Sequence, residues 1–436
     1  MFPFVRCVVG AFFIMSKQSA ETVTAKPAFA RSYQAEGTVM AVLVAMSCSH
    51  MLNDIIQSLI PSIYPLLQRT YDLSYWEIGV ITMVAQLAGS IFQPIVGLAA
   101  DRRPMPWSLA AGMLITLSGI LTLGFAHSYA MILCGVALSG AGSAIFHPEA
   151  SRLARLASGG KFGLAQSLFQ VGGNFGTALG PVLARAIITP RGEKHILWFT
   201  IVALIGFVVL MRAGAWYKQK LAAVRAESAA SGNVDAPAAP GPAAPVFRLP
   251  MRRVVRAITV LVVLIFSKQI YLASMTSYYT FYMIRKFGVS EGMAQMLLFV
   301  FLASVAAGTF IGGPVGDRVG RKIVIWVSIL GAAPFTLLLP HAGFAATIAL
   351  TVVIGLVLAS AFSAILVYAQ ELIPGKVGLV AGLFFGFAFG LGGIGSALLG
   401  RLADSVGIEQ VYFLCSFLPL LGLVTVLLPD TRRRET

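Results

Sequence analysis

Apolar residues run through this chain in long blocks separated by short polar loops, and twelve such blocks can be traced. Each approaches the length of about 20 residues that an α-helix needs to cross a bilayer. The pattern predicts spans over 38–66, 76–100, 106–126, 129–156, 162–189 and 196–217, then 253–284, 291–316, 322–340, 345–371, 377–400 and 408–429. Between the two sets, residues 218–252 carry Lys218, Lys220 and Arg225 into an Ala/Pro/Gly stretch through Pro245. That stretch cannot bury a core and reads as a flexible linker. The expected organisation is a disordered tail (1–35), a six-helix half (36–217), the linker (218–252), a second half (253–430) and a short tail (431–436). Residues 1–14 are apolar but too short to span, and they lack the basic start and small-residue cleavage site of a signal peptide. We therefore expect either translation from Met15 or a disordered leader.

Polar residues interrupt the apolar blocks at helical spacing. An ionisable group at bilayer depth costs roughly 2.5–3.5 kcal/mol on insertion scales, so each asks for a reason. His50, Asn53, Asp54 and Gln57 fall on one face of the first span, as cavity lining or as an interhelical hydrogen-bonded seam. His147, Glu149 and Arg152 surround Pro148 on the fourth, where Glu149 and Arg152 are spaced to pair. His147 and Glu149, two apart, must point in different directions. Gln166, Gln170, Asn174 and Thr177 mark the fifth span; Lys268, Gln269 and Tyr271 mark the middle of the seventh.

The two sets of spans repeat. Gly97-Leu-Ala-Ala-Asp101-Arg102 ends the second span, and Gly313-Pro-Val-Gly-Asp317-Arg318 ends the eighth. Lys161-Phe-Gly163-Leu and Lys376-Val-Gly378-Leu likewise open the fifth and eleventh, about 215 residues apart, as expected of parallel six-helix repeats. At that offset Lys268 falls level with Leu52 or Asn53, and Gln269 with Asn53 or Asp54. An acid and a base are thus expected at nearly the same depth, across the axis between the halves.

The stretch Gly313-Pro-Val-Gly-Asp317-Arg318-Val-Gly320-Arg321-Lys322 resembles the loop signature of the major facilitator superfamily in full. Its glycines permit a tight turn, and its acid can face a helix N-terminus. The copy at Gly97, Asp101 and Arg102 lacks the later Gly-Arg-Lys. Gly176-Thr-Ala-Leu-Gly180-Pro181 partly resembles an antiporter signature, with Ala184-Arg185 in place of the closing glycine pair; small residues four apart also serve close helix packing. His50 through Ile60, Phe146 through Arg152, Gly163 through Gly176 and Ser267 through Ser274 resemble the fosmidomycin resistance protein family. The resemblance implies an all-α membrane protein with twelve transmembrane helices in two parallel repeats. It also implies proton-driven export of a phosphonate antibiotic with a formyl-hydroxamate end.

Composition agrees. Hydrophobic residues make up 58% and charged residues 11% of the 436, against roughly a quarter charged in soluble domains. The formal charge of +15 does not point to nucleic acid, because most of the basic residues fall in loops on one side of the predicted bundle. That bias places both termini in the cytoplasm, and an inner membrane is expected. Cys7, Cys48, Cys134 and Cys415 form neither a CxxC pair nor a disulfide framework. Metal-spaced His/Cys sets, nucleophile elbows and phosphate loops are missing, which argues against an enzyme, a metal centre or a cofactor.

The expected function is proton-coupled export of small polar or anionic compounds by a carrier that works as a monomer. Its partners would be a small-molecule substrate, protons and the bilayer. Asp54 or Glu149 would carry the proton; Lys268 and Arg152 would face the anion; His50, Asn53, Gln57, His147, Gln166, Gln170, Asn174, Gln269 and Tyr271 would line the site. Gly97, Asp101, Arg102, Gly313, Asp317, Arg318, Gly320, Arg321 and Lys322 would form the gating loops. The alternative is an uptake symporter for a sugar or organic anion, because a bound anion favours proton uptake by a nearby carboxyl.

Overall fold

The computed structural model describes residues 38–102, 105–159, 162–230, 250–372 and 377–429. Most of the expected tails and linker lie outside them. Each predicted span falls on one helix or on a short succession of helical pieces. In the first half these are α1 (Met40–Ser62) with α2 (Tyr64–Tyr71), α3 (Tyr75–Arg102), α4 (Ser108–Gly124), α5 (Tyr129–Leu156), α6 (Phe162–Leu183) and α7 (Phe199–Ala230). The second half holds α8 (Met251–Phe287), α9 (Glu291–Val319), α10 (Arg321–Ile329) with α11 (Ala333–Leu338), α12 (Phe344–Ala359) with α13 (Ala361–Leu372), α14 (Val377–Val406) and α15 (Ile408–Cys415). A 3-10 run, Leu418–Leu427, completes the last span.

Among the described residues, nine stretches are long and apolar enough to cross a membrane on those grounds alone. Helix α4 is short at 17 residues, and α1 and α6 are diluted by their polar stripes. One boundary moved. Helix α7 continues to Ala230, so residues 218–230 are helical where the sequence pattern suggested linker. Leu221 is buried there, and the alanine-rich run after it favours helix. Prolines also subdivide the ninth span: Pro334 sits in the first turn of α11 and Pro340 in the short 3-10 turn Leu339–His341.

Large apolar side chains stay exposed around the bundle, among them Ile91, Phe92, Ile201, Leu204, Phe310, Ile311, Leu398 and Leu423. In water such a surface would drive association; in a bilayer it is the solvent-facing surface.

The chain enters at residue 38 and leaves at 429 on one face, called here the terminal face; the loops near residues 73, 190, 288 and 407 turn at the opposite, distal face. At the distal face the two halves are fastened. The Asp404 carboxylate accepts the backbone N–H groups of Tyr75 and Trp76, each at 2.8 Å, and so caps the N-terminus of α3 from the other half. The Tyr278 hydroxyl lies 2.7 Å from the Ser396 carbonyl of its own half and 3.2 Å from the Tyr75 carbonyl of the other, sharing its one hydrogen between them. Gln295 donates to the Ser62 carbonyl at 2.9 Å and exchanges hydrogen bonds with Thr189. Arg69 pairs with Glu291. Glycines let α3 and α14 close on each other: a methyl group on Gly79 or Gly400 would strike the backbone opposite. Among the described residues, the hydrogen bonds that join the halves all lie toward this face.

Candidate functional site

Three helices of the first half build a concentrated polar cluster. Helix α6 lies against α1 through a row of glycines. An added methyl on Gly172, Gly176 or Gly180 would run into the backbone or side chains at Ser47, Met51 and Ser58. Gly173 faces the His50 ring in the same way. This close approach brings the Phe169 carbonyl within 2.8 Å of His50 Nδ1, with the Phe169 ring stacked on the imidazole at 4.1 Å. Gly176 and Gly180 therefore pack α1 on α6.

From the other side, α5 delivers His147. Its Nδ1 lies 2.9 Å from the carbonyl of Ser143, one turn back, and 3.2 Å from that residue's hydroxyl. A carbonyl can only accept, so both imidazoles carry hydrogen on Nδ1, and Nε2 of each is turned toward Asp54. The separations are 3.4 Å from His50 Nε2 to Asp54 Oδ2 and 3.8 Å from His147 Nε2 to Asp54 Oδ1. Asn53 donates to Asp54 Oδ1 at 3.0 Å and Thr177 to Oδ2 at 3.4 Å. Asn53 also reaches the Ser143 hydroxyl, and Gln57 donates to the carbonyl and hydroxyl of Ser139.

The polar stripe of the first span is thus mostly an interhelical seam. His50 and Asn53 are fully buried in it. Asp54 and His147 keep 17% and 28% of their side chains exposed, so the acid is not sealed in the seam. Chemically the cluster can hold a proton between one carboxylate and two imidazoles, or another cation.

Glu149 and His147 diverge as the spacing demanded. Glu149 turns to α4, where Ser108 donates to it at 3.4 Å, and pairs with Arg152 at 3.7 Å. It does not join Asp54. Lys268, expected near the depth of Asp54 across the axis, reaches the Ala359 carbonyl with its Nζ at 3.4 Å within the second half. Among the described residues, the ionisable side chains that meet Asp54 are His50 and His147. A repeat offset fixes height along the axis, not the direction in which a side chain leaves its helix.

Tyr271 is buried beside Lys268, while Gln269, Gln170 and Asn174 are partly exposed. The side chain of Gln166 lies outside the described residues. So do those of Asp101, Arg102, Asp317 and Arg318, although their backbones end α3 and α9 beside Gly97 and Gly313. Gly320 has φ 101° and turns the chain from α9 into α10 in one residue; Arg321 opens α10, and Lys322 donates to the Leu428 carbonyl. Sequence reasoning missed Ser139, Ser143 and Phe169, whose isolated polar or aromatic character carries no signal, and the distal residues Asp404, Gln295 and Tyr278. Nor did any metal-like spacing flag His50 with Asp54 and His147; the fold brings their ligating atoms within 4.8 Å of one another.

A model of the Major Facilitator Superfamily matches residues 46–284 and 270–436. The Fosmidomycin resistance protein of Escherichia coli (strain K12) is 55% identical over 398 residues, covering 91% of this chain and 95% of that protein. An MFS-type transporter of Bacillus subtilis (strain 168), YfnC, is 41% identical over 94% of this chain and 98% of its own length. In fold, the chain is similar to a bacterial homologue of the human lysosomal transporter Spinster. The TM-score is 0.68 at 15% identity, covering 91% of this chain and 98% of that one. Full-length similarity at this level, on a bundle with these repeated loops, makes the chain a transport protein of the major facilitator superfamily and a member of its fosmidomycin resistance protein family.

Proposed function

We propose that the chain exports small polar or anionic compounds, fosmidomycin-like antibiotics included, in exchange for protons and by alternating access. The observation that carries the coupling is the carboxylate of Asp54 held between the Nε2 atoms of His50 and His147. A carboxylate within reach of two imidazoles can take up a proton and share it with either ring, so that the protonated cluster carries no net charge in the membrane and the unprotonated one carries a single negative charge. The partial exposure of Asp54 and His147 leaves the acid unsealed. The likeness to a protein named for fosmidomycin resistance supports the substrate class.

The positive-inside bias puts both termini in the cytoplasm of the inner membrane. The fastened distal face is then the external one, and the arrangement is that of a carrier shut to the outside. Lys268, buried midway along α8, supplies a counter-charge for an anion, with Gln269, Tyr271, Gln170 and Asn174 as candidate polar contacts. Arg152 is committed to Glu149 and has the weaker claim. The scheme calls on residues of one chain, which is taken to work as a monomer. Expression in a sensitive host should raise tolerance to fosmidomycin, and an uncoupler should erase the gain. Tolerance that survives the uncoupler would refute proton coupling; no gain against any of a panel of phosphonates would refute the substrate class.

A further inference from the structure

We propose that His50, Asp54 and His147 form a binding site for a divalent d-block cation of the zinc class. Two imidazole nitrogens and one carboxylate are the donor set of many open zinc sites, which take water or a ligand in the fourth position. The ligating atoms lie within 4.8 Å of one another. His50 Nε2 lies 3.4 Å from Asp54 Oδ2 and His147 Nε2 3.8 Å from Oδ1, near the roughly 3.3 Å between neighbouring ligands around tetrahedral zinc at about 2.0–2.1 Å, so an ion would be met by both oxygens or by one after a small turn of the carboxylate.

The surroundings are those of a metal site as well. Each histidine gives its Nδ1–H to a main-chain carbonyl, His50 to Phe169 and His147 to Ser143. Such bonds fix the tautomer and leave the Nε2 lone pair for a metal. Asn53 and Thr177 hold the two carboxylate oxygens from the side. With both imidazoles neutral, two lone pairs and a carboxylate converge on one volume, an arrangement that a cation relieves. The cluster also keeps an entry, since His147 and Asp54 are partly exposed whereas His50 is sealed behind them. The claim concerns binding and is independent of the direction of transport.

The test uses the purified full-length protein in detergent, titrated calorimetrically with Zn2+ and spectroscopically with Co2+. One equivalent should bind, with Co2+ giving the visible bands of a four-coordinate nitrogen and oxygen site and no thiolate charge-transfer band. Loss of one supporting hydrogen bond typically costs 10–100-fold in metal affinity, so removing a ligand in His147→Ala or Asp54→Asn should cost at least about 100-fold. His195→Ala and the Cys48→Ser/Cys134→Ser pair should bind as the wild type does. His147 is the most exposed of the three, and a wild-type melting curve for His147→Ala would separate lost ligation from lost fold. Three results would each overturn the site: absence of one-to-one binding, a thiolate band, or unchanged affinity in a folded His147→Ala protein.

Discussion

Asp54, Glu149 and Lys268 began as comparable candidates, three ionisable groups inside apolar spans, and their neighbours now separate them. Glu149 is held by Ser108 and Arg152 on the α4 side of α5. Glu149→Gln should therefore lower the melting temperature, since it weakens a largely buried pair, yet leave substrate-driven proton movement in vesicles. Loss of proton movement at full folded yield would make Glu149 a coupling residue after all. Lys268→Ala should melt close to the wild type but lose at least tenfold in affinity for a phosphonate. Binding at wild-type strength would remove Lys268 from the site. Depth was legible for all three residues because hydropathy and the repeat offset report position along a helix. Azimuth was not. His50 and His147 lie on different spans, and only the packing of three helices shows that they share Asp54.

The elements were legible for a simple reason: twelve apolar runs admit few other structures in a bilayer, where backbone groups must be satisfied within the segment. What the pattern could not give was the order of contacts around α1. That order rests on glycines, and it explains why the Gly176–Gly180 signature matters physically. Gly176→Leu would force α6 away from Met51, and overpacking of this kind typically costs about 1–3 kcal/mol. Folded yield after detergent extraction should fall clearly. Gly173→Ala is subtler, since its added methyl meets the His50 ring rather than backbone. We expect near-normal yield with transport reduced severalfold; a poorly folded protein with normal specific activity would contradict the placement of His50. The end of α7 teaches the complementary lesson. A helix can run past the membrane wherever alanine-rich sequence continues, so hydropathy alone stopped it too early.

At the scale of the molecule, the two halves meet through polar contacts gathered at one face. None of them was visible in the sequence, because Asp404, Gln295 and Tyr278 acquire their roles only when the other half is docked against them. The closed distal face makes a prediction about motion. Arg69→Cys combined with Glu291→Cys should be bridged by a reducible bifunctional methanethiosulfonate that replaces the length of the two lost side chains, because the parent side chains meet at their tips. Cross-linking should arrest transport, and a reducing agent should restore it. Full activity in the cross-linked protein would mean that these ends need not part during the cycle.

The central claim is that Asp54, between two histidines, carries the proton exchanged for substrate. Everted membrane vesicles acidified inside by respiration test it directly, with a pH-sensitive dye reporting the gradient. Adding fosmidomycin to vesicles that hold the wild-type protein should discharge part of the gradient, as protons leave in exchange for substrate. Vesicles with Asp54→Asn at equal protein level should show no discharge. A discharge of wild-type size from Asp54→Asn, or none from the wild type while it still transports fosmidomycin, would contradict the account.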